Sequence, residues 1–173
     1  MPLDTAALAA HRHRVYAFAL RLTGCREDAA DVTQEVLVRL WRHGDQVEEA
    51  RRTAWTLRVT RNAALDLLRS RTARAAHTVT HNDLPYAAAD GGHTPDTLTE
   101  AADFRRHLDH ALAQLDEPYR SIVILREIED LPYQDIADAL DLPLNTLKVY
   151  LHRARRRLRD ALRTTLPAEA LPS

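Results

Sequence analysis

Residues 133–158 read YQDIADALDLPLNTLKVYLHRARRRL. Their apolar positions change phase once. Ile136, Ala137 and Leu140 lie on one side of a short helix, Tyr133 to Leu140, before Asp141-Leu142-Pro143-Leu144 interrupts the period. Leu147, Leu151, Ala154 and Leu158, followed by Ala161 or Leu162, then recur at three, four and seven residue steps on a helix from Asn145 to about Thr164. Asn145 is the expected N-cap, Ala137 the small residue where two helices cross closely, and Leu142 the plug of the turn. A short helix, a tight turn and a long basic helix, in that order, predict a helix-turn-helix. On the side of the last helix away from its apolar stripe stand Thr146, Lys148, Val149, His152, Arg153 and Arg156. That mixture suits a recognition helix, whose first turns meet base edges while later cations grip phosphate. The competing reading, a solvated basic helix in a bundle, leaves the conjunction of small residue, turn and basic face unexplained.

Working outward, the same three and four residue spacing recurs through most of the chain. With four glycines and 5% aromatic residues in 173, the turn density and β-branched alternation of a sheet protein are missing. The predicted class is all-α: two small helical domains joined by a flexible linker. Leu8, Val15, Phe18 and Leu22 mark a first helix that Gly24 ends in a left-handed conformation. A second runs from about Glu27 to His43, its buried stripe made of Val32, Val36, Leu37, Leu40 and Trp41. A third runs from about Thr53 to Arg71. Residues 72–99 lose the period and gather Pro85, Gly91, Gly92 and Pro95, the composition of a connector. Beyond it Phe104, Leu108, Ala111, Leu112 and Leu115 mark a fourth helix, and Ile122, Val123, Leu125 and Ile128 a fifth that opens at Pro118. The division is 1–71, 72–99, 100–166 and a tail 167–173.

The formal net charge of −1 argues against a nucleic-acid protein only until it is mapped. Residues 51–74 and 145–163 each hold seven cationic side chains and one acid, a local +6, while acids collect at Glu27 to Glu35, 83–117 and 127–141. The length leaves little room for a large catalytic scaffold. A single cysteine, Cys25, makes no internal disulfide and suits a reducing cytoplasm; no leader and no membrane span is predicted. No cofactor is expected. Nine histidines include the pairs His11, His13 and His77, His81, without a third ligand at helical spacing.

The first basic block differs in kind. Trp55, Arg58, Arg61, Asn62, Asp66 and Arg69 place cations, an amide and an aromatic on one helix, a surface able to hold phosphates and unstacked bases of single-stranded DNA. Taken alone, Trp55 reads more readily as core, and Asn62 with Asp66 as a local helix pair. The acidic face of the second helix, Asp28, Asp31, Gln34 and Glu35, suits a basic protein partner or is simply solvated.

Asp31-Val32-Thr33-Gln34-Glu35-Val36, Ala54-Trp55 and Arg61-Asn62-Ala63-Ala64-Leu65-Asp66-Leu67-Leu68-Arg69 together resemble domain two of bacterial RNA polymerase sigma factors of the sigma-70 family, extracytoplasmic-function (ECF) group. Leu115-Asp116-Glu117-Pro118-Tyr119-Arg120, Leu131 to Ala137, Asn145-Thr146-Leu147-Lys148 and Leu151 to Arg155 resemble domain four of the same group. The resemblance runs from about Val15 to Arg163. It implies a non-enzymatic factor whose partners are core RNA polymerase, promoter DNA and an anti-sigma factor. Asp31, Gln34, Glu35 and Leu40 then match the surface that docks on the polymerase. Trp55, Arg58, Arg61, Asn62, Asp66 and Arg69 match the helix that engages the minus-ten element, and the loop between Arg42 and Arg52 the pocket for a flipped base. Asn145, Thr146, Lys148, Val149, His152, Arg153 and Arg156 fall in the helix that reads the minus-thirty-five element. The connector corresponds to a segment threaded near the RNA exit path.

The chain departs from that pattern at Asp141 and Asn145, where members commonly carry Gly, at Val149 and Tyr150, where Ser and Arg are usual, and at Thr56, in place of an apolar residue. The bases read at Val149 and Tyr150 stay open. The rival reading is a helix-turn-helix regulator acting on duplex DNA without a polymerase, which has no use for Asp31, Gln34 and Glu35.

Overall fold

The computed structural model describes residues 5–77 and 100–165. Of the predicted connector 72–99, residues 72–77 belong to a helix, while 78–99, with His81, and the tail lie outside the described residues. Helix α1, Thr5–Thr23, ends where periodicity placed its end: Gly24 takes φ 66° and its N–H donates to the Leu20 carbonyl at 2.8 Å. Only a residue without Cβ adopts that conformation freely. Helix α2, Arg26–His43, opens with Glu27 and Asp28, which suit the positive end of its dipole. A 3-10 turn, Gly44–Gln46, leads into α3, Glu49–His77, which starts earlier and continues six residues past the predicted end at Arg71. Val15, Phe18, Leu22, Val32, Val36 and Leu57 close the core of these three helices.

Three threonines sit inside this unit. Thr33, Thr56 and Thr60 are buried, and each hydroxyl donates to the carbonyl four residues earlier, at 2.6, 2.7 and 2.8 Å. The departure at Thr56 is thus satisfied within its own helix, without an orphaned donor.

The second unit comprises α4, Glu100–Ala113, α5, Tyr119–Val123, which runs on through a π-helical turn, Ile124–Ile128, then α6, Tyr133–Leu140, and α7, Leu144–Thr165. Leu112, Ile122, Leu125, Ile136, Leu147 and Leu151 pack its core. Helix α6 has the predicted bounds. Asp141 follows at φ 56°, ψ 46°, the left-handed conformation that a carboxylate side chain tolerates where Gly is usual. Leu142 then donates its N–H to the Ala137 carbonyl at 2.9 Å and packs against the core, closing the turn.

Three expectations fail. Asn145 is not the N-cap of α7, because the helix begins at Leu144 and the Leu147 N–H already bonds the Pro143 carbonyl at 2.9 Å. Trp41 is 48% exposed and Phe104 51%, so neither belongs to the core.

The two units pack on each other. Helix α3 lies against α6, and α1 against α4, so that one apolar cluster runs from Val15 and Leu57 through to Ile136 and Leu147. Polar contacts line the seam. Arg61 pairs with Glu117 at 2.9 Å and Arg14 with Glu129 at 3.4 Å, while Arg120 donates to the Arg21 carbonyl and Arg58 to that of Asp138. Asp109 lies near Arg21, Arg105 and Arg120; burial nevertheless outweighs their pull and pushes its carboxyl pKa up.

Candidate nucleic-acid interface

Helix α7 separates its residues by face. Leu147, Leu151 and Ala154 are buried, whereas Asn145, Lys148, Val149, His152, Arg153 and Arg156 are exposed and Thr146 half-exposed, all on the arc away from the apolar stripe. Val149 is 50% exposed. Tyr150 is not part of that surface: its ring lies 5.4 Å from Tyr119, tilted by 52°, and packs against the second unit's core. Of the three departures in this helix, Asn145 and Val149 face outward and Tyr150 does not.

The arginines of α7 are of two kinds. Arg155 pairs with Glu127 at 2.7 Å, and that hydrogen bond raises its pKa further. Arg157 stacks 4.3 Å over the Tyr119 ring and reaches Asp116 at 3.7 Å. Both hold α7 on its own domain. Lys148, Arg153 and Arg156 are cations of the outward arc, with His152 beside them.

On α3, Trp55, Arg58, Asn62, Asp66 and Arg69 fall on one face, because steps of three, four and seven residues at about 100° each return to a common side. Asn62, Asp66 and Arg69 are exposed, and Asp66 pairs locally with Arg69 at 3.1 Å. Trp55 is half-buried. Arg58 and Arg61 are half-buried as well, turned into the seam. Five of the six predicted minus-ten residues thus share one helix face, part open and part covered, and Arg61 lies about 100° around the helix from Asn62.

The loop between Arg42 and Arg52 is shorter than expected. A 3-10 turn and the first turn of α3 occupy most of it, and the Arg52 guanidinium clasps it, donating to the Gly44 carbonyl at 3.1 Å and the Val47 carbonyl at 3.4 Å. Arg52, counted in the basic block, is therefore a clamp. The neighbouring His11 is held below the ordinary imidazole range, first by burial and then by Arg14 and Arg52.

On α2 the structure brings Asp31, Gln34 and Glu35 together on an exposed face with Val38, Arg39 and Arg42. Leu40 does not join them. It is fully buried, about half a turn of helix away from Asp31, and belongs to the core. Asp28 is buried too and pairs with Arg71 of α3. The residues missed are Val38 and Trp41, exposed apolar side chains that line a groove between α1 and α2 with Leu8, Tyr16 and Leu37. Val38 was within reach of the pattern, since it lies three residues beyond Glu35 and four beyond Gln34.

Among the described residues, no group of three or more His, Cys, Asp or Glu side chains is placed to hold a metal ion, and no helix is long and apolar enough to cross a membrane.

Comparison with known proteins agrees with this layout. Residues 8–74 match the Sigma-70 region 2 family model and residues 105–158 the Sigma-70 region 4 model. The chain is 36% identical over 156 residues to the ECF RNA polymerase sigma factor SigL of Mycobacterium tuberculosis, covering 88% of this chain and 84% of that one. It is 33% identical over 152 residues to the ECF RNA polymerase sigma factor SigE of Mycolicibacterium smegmatis, covering 88% of this chain and 58% of that longer one. Of solved structures, the sigma factor RpoE in complex with the anti-sigma factor NepR from Bartonella quintana matches with TM-score 0.69 and 22% identity over 93% of this chain and 97% of that one. CnrH, in complex with the cytosolic domain of CnrY, matches with TM-score 0.65 and 22% identity over 93% and 88%. At that identity the structural likeness establishes the fold. With regions 2 and 4 in order along one chain, and 36% identity across most of an ECF factor, the protein belongs to the sigma-70 family as a member of its ECF group.

Proposed function

We propose that this chain is a promoter-specificity subunit: it binds core RNA polymerase, recognises promoter DNA, and helps to separate its strands, leaving all bond chemistry to the polymerase. The observation that carries this reading is the presence of two separate exposed faces, one on α2 that mixes Asp31, Gln34 and Glu35 with Val38, Arg39 and Arg42, and a basic one on α7. A duplex-binding repressor needs only the second. The working division is residues 1–71 for polymerase and the minus-ten element, 72–99 as connector, 100–166 for the minus-thirty-five element, and 167–173 as tail. Such a factor acts where the polymerase is, in the cytoplasm, and an anti-sigma factor is its natural regulator.

In this reading Asp31, Gln34 and Glu35 dock on the polymerase, with Val38 and Trp41 supplying apolar contact beside them. Trp55, Arg58, Arg61, Asn62, Asp66 and Arg69 hold the minus-ten strand. Asn145, Thr146, Lys148, His152, Arg153 and Arg156 meet base edges and phosphates of the minus-thirty-five duplex. Binding energy from these contacts offsets the cost of unpairing a few bases. Fluorescence anisotropy of labelled chain titrated with core polymerase tests the proposal, which predicts a saturable complex; no association would reject it.

Val149 has one thing to offer a major groove, apolar contact, and the group there that accepts it is the thymine 5-methyl. Once the bound sequence is selected, replacing the thymine beneath Val149 by deoxyuridine is expected to weaken binding by about fourfold, the worth of roughly 0.8 kcal/mol for one methyl-sized group. Val149→Ser should be indifferent to the same change. Gel-shift titrations of both proteins on both duplexes measure it.

A further inference from the structure

Helices α1 and α2 leave between them a groove of about 630 Å³, inside the ~300–1,000 Å³ range of small-molecule sites. Leu8 of α1 and Leu37, Val38 and Trp41 of α2 give it apolar walls. Val38 is 41% exposed and Trp41 48%, and the apolar surface they show to water favours whatever covers it. The polar groups of the groove are of one kind. Arg12, Tyr16 and Gln34 line it, and no carboxylate does. Arg12 is exposed and stands one turn from both Leu8 and Tyr16 on the same ridge of α1. Among the described residues it makes no ion pair or hydrogen bond, and the Tyr16 hydroxyl and the Gln34 amide are likewise uncommitted. Thr33, the remaining hydroxyl of the lining, is already engaged, donating to the Ala29 carbonyl at 2.6 Å. A guanidinium of fixed charge, a phenol and an amide all carry donors, and one acceptor-rich anionic head group answers the three together.

We infer that this groove is a ligand site for an organic carboxylate with an apolar body, a medium-chain fatty acid or an aryl-alkanoic acid. The carboxylate meets the Arg12 guanidinium in a two-pronged, charge-assisted hydrogen bond, with Tyr16 and Gln34 donating beside it. The body of the molecule lies along Leu8, Leu37 and Val38 against the Trp41 ring. Charge complementarity sets the choice of head group, because a cation with the same body is repelled by Arg12. The α1 wall runs from Leu8 to Tyr16, about 12 Å or two turns, a length that suits a small molecule better than a long partner helix. Gln34 and Val38 belong both to this groove and to the exposed face that holds Asp31 and Glu35. A bound carboxylate therefore covers part of the surface proposed to dock on the polymerase, and the two occupants exclude each other. That consequence rests on the proposed docking role of α2; the site itself does not.

The test uses the full chain and sodium decanoate below its micellar range, with decyltrimethylammonium as the probe of equal apolar length and opposite charge. Tryptophan emission reports occupancy. Decanoate is expected to shift the emission to shorter wavelength in a saturable titration, the cation is not, and Trp41→Phe should remove the shift while Trp55 stays in place. Arg12→Gln should weaken decanoate binding about tenfold, the loss of one charged hydrogen bond. Arg12→Glu should reverse the preference, so that decyltrimethylammonium binds and decanoate does not. Arg163→Gln, the same loss of charge at an exposed position of α7, should leave decanoate affinity as it was. Arg12 is exposed, and unchanged circular dichroism of its variants separates loss of charge from loss of fold. A response to both probes alike, a shift that survives Trp41→Phe, or an affinity indifferent to both changes at Arg12 overturns the site. A second arm titrates labelled chain with core polymerase at decanoate about ten times its dissociation constant, where competition predicts a midpoint raised about tenfold. Arg12→Glu should be insensitive. A midpoint unmoved by bound decanoate overturns the competition. Absence of any polymerase complex, with or without decanoate, rejects the docking role beneath it, while the emission titration still decides the site.

Discussion

Replacing Lys148 and Arg153 together with alanine is expected to weaken duplex binding by on the order of 100-fold at low salt, from two charge-assisted phosphate interactions worth about 1.5 kcal/mol each. Both are exposed on the outward arc of α7, away from Leu147, Leu151 and Ala154, so the fold should survive their removal. The distinguishing quantity is salt dependence. Every phosphate that the protein no longer neutralises lowers the magnitude of the slope of log affinity against log salt by about one, so the double variant should be shallower by about two. Arg155→Ala and Arg157→Ala form the control, because those side chains are committed to Glu127, Asp116 and the Tyr119 ring. They should lower thermal stability and leave the slope where it was. Anisotropy titrations over a range of salt concentrations decide the matter, and equal slope changes for the two pairs would count against the outward arc as the DNA surface.

Reversing charge on the other exposed face, Asp31→Lys with Glu35→Lys, is expected to lower affinity for core polymerase by on the order of 100-fold while duplex binding by α7 is unaffected, an interface in which like charges now meet. Stability should barely move. Glu35 makes one surface pair, with Arg39 at 2.5 Å, of the i,i+4 kind worth about 0.3–0.5 kcal/mol. A binding defect therefore reports on the interface, and circular dichroism confirms that the helix persists. Undiminished association with the polymerase would place its docking site elsewhere.

What the sequence made legible was local. The bounds of α6, the left-handed Gly24 and the apolar stripe of α7 follow from periodicity and turn chemistry within a few residues. The arginines of α7 were sorted correctly where phase alone decides: Arg153 and Arg156 lie away from the stripe. Trp41 was misplaced because a residue at the edge of a stripe is buried or exposed according to which neighbour covers it, and phase does not name the neighbour. Leu40 was assigned to a surface by resemblance, although its helical phase places it opposite Asp31. The seam was illegible for the same reason at longer range. Arg61 and Glu117 are 56 residues apart, and a connector without helical period between two periodic stretches predicts two units without saying that they touch. Its consequence is functional, since the arginines most clearly suited to a DNA strand are those the fold has already engaged.

A promoter-specificity subunit confers promoter choice on a polymerase. Run-off transcription on a fragment library of its source genome, with core enzyme alone and with core enzyme plus this chain, addresses it most directly. Discrete transcripts are expected that appear only when the chain is added and that begin downstream of a shared pair of sequence elements. Transcripts identical with and without the chain, alongside protection of duplex DNA by the chain alone, would contradict it and favour a regulator that works without joining the polymerase.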